Sequence, residues 1–233
     1  MKRVVEYVAS GFRKDQIWLR RQRAEKRSYD ILLAVDDSES MSDSGAGPTA
    51  LEALVLITSA LAKVDVGRLA VVTFGSETRL VRPLDDSLVI SPESGDRLLS
   101  QFTFRQKATD VKRLLTFMQE YMTVSATERR ISFIISDGRL GEKSEGLQRQ
   151  IRQLREEGMV IAFLIINQPL PGKKNIFDVK KVDYTGNLGG VKITPYMAHF
   201  PFDFYAEVND INSLPYVLGD ALRQWMEATS PTI

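Results

Sequence analysis

The chain has 233 residues, of which 43% are hydrophobic and 26% are charged, and its net charge of +1 creates no global field that would recruit nucleic acid. It has no cysteine and one histidine, His199, which excludes disulfide frameworks and zinc–thiolate sites and argues against histidine-rich metal sites. No stretch approaches the roughly 18 apolar residues of a membrane-spanning helix, so we expect no membrane contact.

Residues 1–28 form a basic arm that carries nine basic and three acidic side chains. Charge runs are usually solvated, and we expect this arm to pack on a body at 29–228, which a short tail at 229–233 follows. Phe12 and Trp18 interleave with the arginines and could stack on bases. The arm therefore leaves RNA binding open as an alternative function.

From residue 29 the sequence alternates between strand and helix patterns. Short apolar runs rich in β-branched residues predict strands buried on both faces, at Tyr29–Val35, Leu69–Phe74, Ile131–Ile135 and Met159–Ile166. Apolar stripes with helical spacing begin at Leu51, Val111, Leu147 and Leu214. This alternation predicts an α/β fold with a doubly wound, mostly parallel sheet flanked by helices.

Two helix ends carry recognisable signals. Gly158 is expected to end the helix that contains Leu147, since glycine is common just after a helix. The last helix is expected to be capped by Asn212 or Ser213, with Pro215 in its first turn and Trp225 on its apolar stripe.

The stretch Asn167–Pro195 interrupts the alternation because it is rich in proline and glycine. We expect a protruding loop or hairpin in which Val182–Tyr184 faces Val191–Ile193 across a glycine turn. Long excursions of this kind in a compact domain are usually functional or disordered.

Oxygen-bearing side chains follow the predicted strands. Asp36-Asp37-Ser38-Glu39-Ser40 follows the first, Asp137 follows the third, and Thr109 precedes the helix that begins at Val111. Sites in open α/β sheets form at the carboxyl ends of the strands, so these clusters are expected to converge. Such residues are also ordinary turn formers and helix caps, but oxygen ligands in three converging loops suit Mg²⁺, Ca²⁺ or Mn²⁺.

The spacing within the first cluster has a physical meaning. In a loop leaving a strand, alternate residues can point to one side, which would place Asp36, Ser38 and Ser40 together and turn Asp37 and Glu39 away. Neutral hydroxyls hold a divalent ion without cancelling its charge. The ion would then attract an anion into its open coordination position.

The order Asp36, Ser38, Ser40, Thr109 and Asp137 resembles the metal-ion-dependent adhesion site (MIDAS) of von Willebrand factor A domains. The resemblance implies that the serines and Thr109 bind the metal directly or nearly so, and that Asp36 and Asp137 bind mostly through water. It implies Mg²⁺, with Mn²⁺ or Ca²⁺ as alternatives, and a partner Glu or Asp that completes the coordination.

Longer segments resemble the adhesion-site domain at the C-terminus of the giant dynein-related AAA ATPases of large-ribosomal-subunit assembly. These segments are Phe12–Arg21, Leu33–Met41, Ala46–Glu52, Ser100–Lys107, Phe200–Tyr205 and Ala221–Trp225. The resemblance implies docking of ubiquitin-like domains of pre-ribosomal assembly factors, which the parent AAA ring then removes from the pre-ribosome. It also implies a location in the nucleolus and nucleoplasm.

The sequence lacks the phosphate-binding loop G-x-x-x-x-G-K-[ST], so we expect a binding domain without catalytic residues, as a piece of a longer chain. The alternative is a module in which the basic arm binds RNA or the ribosome surface. A receiver domain or a haloacid-dehalogenase-type phosphatase is disfavoured, since Ser38 stands where the phosphatase needs an aspartate.

The residues beside the predicted ligands would form a rim that sets partner choice. Their mixture of basic and apolar side chains suits an acidic anchor with apolar surroundings. The predicted rim consists of Met41, Ser42, Gly75, Ser76, Arg105, Gln106, Lys107, Arg139 and Leu140.

Overall fold

The computed structural model describes residues 29–64, 67–85, 92–123, 127, 129–140, 144–167, 176–185 and 190–219. The basic arm at 1–28, the tail at 229–233 and Trp225 lie outside these ranges, so the expectations for them remain predictions. Within the described ranges, no helix is both long enough and apolar enough to cross a membrane.

Strands and helices alternate along the described chain. The strands are β1 (Tyr29–Asp36), β2 (Gly67–Phe74), β3 (Arg79–Asp85), β4 (Arg130–Ser136), β5 (Met159–Ile166), β6 (Lys180–Thr185), β7 (Gly190–Pro195) and β8 (Phe204–Val208). The α-helices are α1 (Glu39–Asp43), α2 (Ala46–Val64), α3 (Pro92–Leu99), α4 (Val111–Thr123) and α5 (Ser144–Glu156). Short 3₁₀ turns lie at Ile176–Asp178, Tyr196–His199 and Ile211–Ser213, and residues 214–219 are helical.

The main sheet has six strands in the order β3-β2-β1-β4-β5-β8. Neighbouring strands are parallel, except that β3 runs antiparallel to β2 at one edge. The predicted doubly wound, mostly parallel α/β sheet is therefore confirmed. The sheet order reverses at β1, and in such sheets the crevice beyond the carboxyl ends at this point is the usual ligand site.

Two hydrophobic layers cover the sheet, because successive side chains of a strand point to opposite faces. Ile31, Leu33 and Val35 of β1 pack with α2 on one face. Leu32 and Ala34 pack with α4 and α5 on the other face. All five side chains are buried. Their packing fixes the orientation of β1 and therefore the position of Asp36 at the carboxyl end of this strand.

The hairpin predicted in the excursion is present in the expected register. Val182 pairs with Ile193 and Tyr184 with Val191 in the antiparallel β6–β7 pair, and the tip at 186–189 lies outside the described residues. The preceding turn departs from the prediction of a protruding segment, since Ile176 is buried in the second hydrophobic layer. An apolar residue among prolines and lysines thus anchors the excursion to the body.

The prediction at Gly158 agrees with the described chain, whereas the predicted cap at Asn212 or Ser213 is wrong, because both residues lie inside the 3₁₀ turn that leads into the last described helix. Helix α5 ends at Glu156, and Gly158 follows with a left-handed φ of 83°. Residue 214 begins the final described helix directly after Ser213. Asp210, which the sequence analysis did not single out, caps the preceding 3₁₀ turn by accepting a hydrogen bond from the Asn212 amide.

Candidate metal centre

The loop after β1 gathers the first three predicted ligands. The hydroxyl oxygens of Ser38 and Ser40 lie 3.0 Å apart, within hydrogen-bond distance. The Asp36 carboxylate accepts hydrogen bonds from the Ser38 amide at 2.9 Å and from the Ser136 hydroxyl at 2.6 Å. The structure therefore brings Asp36, Ser38 and Ser40 together, as their spacing predicts.

Asp137 follows β4 and reaches the same edge of the sheet. Its Oδ1 accepts a hydrogen bond from the Arg139 amide at 3.1 Å, while its Oδ2 is buried and has no hydrogen-bond partner among the described residues. Gly138 turns the chain there with a left-handed φ of 77°. A buried carboxylate oxygen without a donor is costly, and a bound cation or its water would remove that cost.

Thr109 lies on the segment at 100–110 that leads into α4. Its side chain is half-buried, and the amide of the next residue, Asp110, donates to the carbonyl of Gly75 at the end of β2. The backbones of Ser38 and Gln106 form a β-bridge, which ties this segment to the loop after β1. The predicted ligands thus lie on three loops at the carboxyl ends of β1 and β4 and before α4.

Asp37 has a role that sequence reasoning missed, although it was correctly expected to point away from Ser38. Its buried carboxylate accepts hydrogen bonds from the Thr103 amide at 2.6 Å, from the Phe104 amide and from the Gln106 side chain at 3.3 Å. Phe104 has a left-handed φ of 51°. Asp37 therefore holds the segment that carries Thr109; the doubled aspartate was the available sequence signal.

Burial governs the ionisation of Asp36. Removal from water raises the pKa of its carboxyl from 3.8 to about 6, although hydrogen bonds from Ser136 and Ser38 act in the opposite direction. The charge of Asp137 raises the pKa further. A divalent cation would offset both effects, because it favours the charged carboxylates.

The donor set fits a hard divalent ion. The described residues contain no group of three or more His, Cys, Asp or Glu side chains able to hold a metal, so an ion here would depend on the serine and threonine hydroxyls. Hydroxyl and carboxylate oxygens are the donors that Mg²⁺, Ca²⁺ and Mn²⁺ prefer. The unpaired Asp137 oxygen and the close pair of serine hydroxyls both suit such an ion.

The predicted rim needs correction at two positions. Met41 is fully buried, and its sulfur accepts a hydrogen bond from the Asp137 amide at 3.2 Å, because the short helix α1 turns it inward. Gly75 is also buried, and an added Cβ would lie 2.6 Å from the Gln106 side chain. Gln106 itself is engaged internally, since its Oε1 accepts a hydrogen bond from the Glu77 amide at 2.9 Å. Met41 and Gly75 thus support the centre rather than present a surface, whereas Gln106 is half-buried and only partly accessible.

The other rim residues remain accessible to different degrees. Ser42, Arg105, Lys107 and Arg139 are exposed, and Ser76 and Leu140 are half-buried. The Ser76 carbonyl accepts a hydrogen bond from the Arg113 guanidinium at 2.8 Å. The accessible rim is therefore more basic than the sequence prediction, because the apolar Met41 is removed from it.

The excursion contacts the loop of Asp137 through Tyr196. The Tyr196 hydroxyl donates to the carbonyl of Gly138 at 3.1 Å and accepts from the amide of Leu140 at 2.9 Å. Burial raises the pKa of this phenol, so it stays protonated and able to donate. His199, by contrast, is exposed, and its Nε2 lies 3.0 Å from the Thr194 hydroxyl.

The sequence of the candidate centre matches a known family of protein domains. A model described as von Willebrand factor type A domain matches residues 31–139, a range that contains every predicted metal ligand. Domains of this class are generally interaction modules.

Midasins are similar over nearly the whole chain. Midasin from Dictyostelium discoideum is 35% identical over 238 residues, covering 100% of this chain, and midasin from Giardia intestinalis is 33% identical over 239 residues, covering 99%. The chain spans only 4% and 5%, respectively, of the length of these two relatives.

Solved structures support the fold. BatB from Bacteroides thetaiotaomicron gives a TM-score of 0.57 at 16% identity, covering 86% of this chain and 100% of BatB. Proximal thread matrix protein 1 of the mussel byssus, solved with a zinc-occupied MIDAS motif, gives 0.57 at 14% identity, covering 84% of this chain and 47% of that protein. Together with the sequence relatives, these findings show that the chain contains a von Willebrand factor type A domain of the midasin type.

Proposed function

We propose that this domain binds an acidic residue of a partner protein through a divalent metal ion held by Asp36, Ser38, Ser40, Thr109 and Asp137. The observation that carries the proposal is the paired serine hydroxyls, 3.0 Å apart, on the loop after β1, at the same sheet edge as the buried Oδ2 of Asp137, which accepts no hydrogen bond from the described residues. Neutral hydroxyl ligands leave the ion with most of its charge. A partner carboxylate is the natural group to complete its coordination.

Mg²⁺ is the ion we propose, with Mn²⁺ or Ca²⁺ as substitutes. The donors are all oxygens, and Mg²⁺ commonly binds through one or two carboxylates while keeping other positions for water or a ligand. The chain's own residues would position the ion and exclude bulk water, and the hydrogen bonds from Ser136 and Ser38 would favour the charged form of Asp36. None of these tasks requires a catalytic residue, so we propose that the domain binds without catalysing a reaction.

The similarity to midasins supports a specific partner class. We propose that the partner is a ubiquitin-like domain of a pre-ribosomal assembly factor, docked so that the AAA ring of the parent protein can remove it from the large-subunit precursor. This role would place the domain in the nucleolus and nucleoplasm. The exposed basic residues Arg105, Lys107 and Arg139 suit an acidic surface around the anchoring carboxylate.

Calorimetry with the 233-residue chain and a ubiquitin-like domain of a ribosome assembly factor tests the proposal. We expect binding in Mg²⁺, no binding in EDTA, and at least about tenfold weaker binding after Ser40→Ala, because a metal donor is lost. Ser59→Ala, which removes an exposed serine of α2, is the matched control and should bind normally. Affinity that survives both EDTA and Ser40→Ala would overturn the proposal.

A further inference from the structure

Arg139 stands in an unusual position beside the candidate metal centre. Its Nε lies 3.8 Å from the buried Oδ2 of Asp137, which is too far for a hydrogen bond but close enough for a strong attraction between charges. Its side chain is 46% exposed, whereas that of Asp137 is only 3% exposed. Arg139 thus reaches from the solvent toward a carboxylate oxygen of the centre to which no described residue donates a hydrogen bond.

The backbone keeps Arg139 at this place. Gly138 adopts its left-handed conformation directly before it, and the Arg139 amide donates to Oδ1 of Asp137 at 3.1 Å. The Tyr196 hydroxyl fixes the next turn of the loop by bonding to the carbonyl of Gly138 and the amide of Leu140. The loop is therefore held in place, while the long arginine side chain can still change rotamer.

Two carboxylates could pair with the guanidinium of Arg139: that of Asp137 and that of an incoming acidic partner. Asp137 attracts its guanidinium, whereas the Arg79 guanidinium lies 3.9 Å from the carboxylate of Asp37. A divalent ion bound beside Asp137 would repel the guanidinium and take over neutralisation of that carboxylate. The displaced guanidinium would then be free at the rim, where an incoming carboxylate is the group that its planar donors fit best.

We propose that Arg139 is a second recognition element for the acidic partner: it neutralises Asp137 in the free domain and pairs with the partner's acidic surface in the complex. This inference rests on the proposed function, since it assigns a role within the same docking event. It predicts that removal of the Arg139 charge strengthens Mg²⁺ binding and weakens partner binding, because the same positive charge opposes the metal ion and attracts the partner. A residue with a merely structural role would weaken both interactions together.

The test measures two affinities of the 233-residue chain by calorimetry, for Mg²⁺ alone and for a ubiquitin-like domain at saturating Mg²⁺. Arg139→Gln should bind Mg²⁺ about three- to tenfold more tightly, since a competing charge is removed. The same variant should bind the ubiquitin-like domain at least about tenfold more weakly. Arg139→Lys keeps the charge and should restore wild-type Mg²⁺ affinity but only part of the partner affinity.

Arg155→Gln is the matched control, since Arg155 is an exposed arginine paired with Asp203 at 3.1 Å, before the amino end of β8. It should change neither affinity. Parallel loss of both affinities in Arg139→Gln, or no change in either, would overturn the inference. If the wild-type chain fails to bind the ubiquitin-like domain, the proposed function and the partner half of the inference both fall, and the Mg²⁺ measurement alone then decides whether Arg139 opposes the ion.

Discussion

The carboxylate of Asp37 accepts a hydrogen bond from the amide of Thr103 at 2.6 Å and so joins two segments that are 66 residues apart in sequence. The contact is buried on the Asp37 side, and Asp37 directly precedes Ser38 in the loop after β1. The first segment carries Asp36, Ser38 and Ser40, and the second leads to Thr109. The geometry of the candidate centre therefore depends on a carboxylate that we do not expect to touch the metal.

Replacing this carboxylate tests that dependence. Asp37→Asn removes the charge that strengthens the bonds from Thr103 and Phe104 and places an amide opposite the Gln106 amide, so we expect about 1–3 kcal/mol of lost stability. Mg²⁺ affinity should fall about tenfold, as for other residues that orient metal ligands. Asp43→Asn, at an exposed position in α1, is the control for both denaturation and calorimetry. An unchanged Mg²⁺ affinity in Asp37→Asn would show that the segment with Thr109 is held by other contacts.

The raised pKa of Asp36 predicts how stability depends on pH in the absence of metal. Between pH 4 and 6, the folded chain keeps a proton on Asp36 that the unfolded chain has lost, because the folded pKa is about 6 and the ordinary value is 3.8. The free energy of unfolding should therefore decrease as the pH rises through this range and stay low above it. Saturating Mg²⁺ at pH 7 should reverse the loss. Urea denaturation of metal-stripped protein across this range measures the effect, and a stability that rises with pH there would contradict it.

The stability of Asp36→Asn, measured with and without Mg²⁺, should show separately how Asp36 contributes to metal binding and how much stability the burial of its charge costs. The asparagine can still accept from the Ser38 amide and can donate to the Ser136 hydroxyl, but it carries no charge to bury. In EDTA at pH 7 we expect the variant to be more stable than the wild type, by up to about 3 kcal/mol. In Mg²⁺ the order should reverse, because the variant loses the metal-dependent increase in melting temperature. A variant that is less stable in both conditions would argue against a buried charge at this position.

The strands of the centre could be predicted from sequence because their residues are apolar on both faces, as in Ile131–Ile135. The edge strand β3 could not be predicted in this way, since it is half-exposed and carries Arg79 and Arg82, with no continuous apolar run. Helix α3 was not predicted either. The side to which Asp36, Ser38 and Ser40 point followed from their spacing. The hydrogen-bond donors to Asp37 could not be predicted from its sequence neighbours, because they lie on a distant segment of the chain.

The rim prediction was wrong where it ignored helical geometry. Met41 lies three residues after Ser38, and proximity in sequence suggested a surface residue. Helix α1 begins at Glu39, so its single turn carries Met41 into the hydrophobic layer, next to the Asp137 amide. A one-turn helix of polar sequence, Glu-Ser-Met-Ser-Asp, gives too short a pattern for its buried face to be identified from sequence.

Two glycines provide a matched pair of alanine substitutions. Gly138 has a φ of 77°, and a Cβ there would lie 2.9 Å from Cδ1 of Ile176, so Gly138→Ala combines backbone strain with a steric clash. We expect it to destabilise the domain by about 2–4 kcal/mol and to weaken Mg²⁺ binding by moving Asp137. Gly146, in α5, has open space around its Cβ position, and Gly146→Ala should leave Mg²⁺ affinity unchanged and stabilise the helix by about 0.5–1 kcal/mol. Chemical denaturation and calorimetry of both variants measure these effects, and equal behaviour would contradict the assigned roles.

The contact between Tyr196 and the loop of Asp137 predicts that the excursion stabilises the candidate centre. Tyr196→Phe removes one hydroxyl, which leaves the carbonyl of Gly138 and the amide of Leu140 without that partner but keeps the ring in place. We expect a loss of about 0.5–1.5 kcal/mol in stability, since the Leu140 amide keeps its hydrogen bond of 3.0 Å to the Gly138 carbonyl after the hydroxyl is removed. Hydrogen exchange should show faster opening of the Leu140 amide than in the wild type, with unchanged protection in β1 and β4 as the internal control. If the Leu140 amide exchanges at the wild-type rate in Tyr196→Phe, the excursion does not hold this loop, and the centre would have to be stabilised by β4 and Ile176 instead.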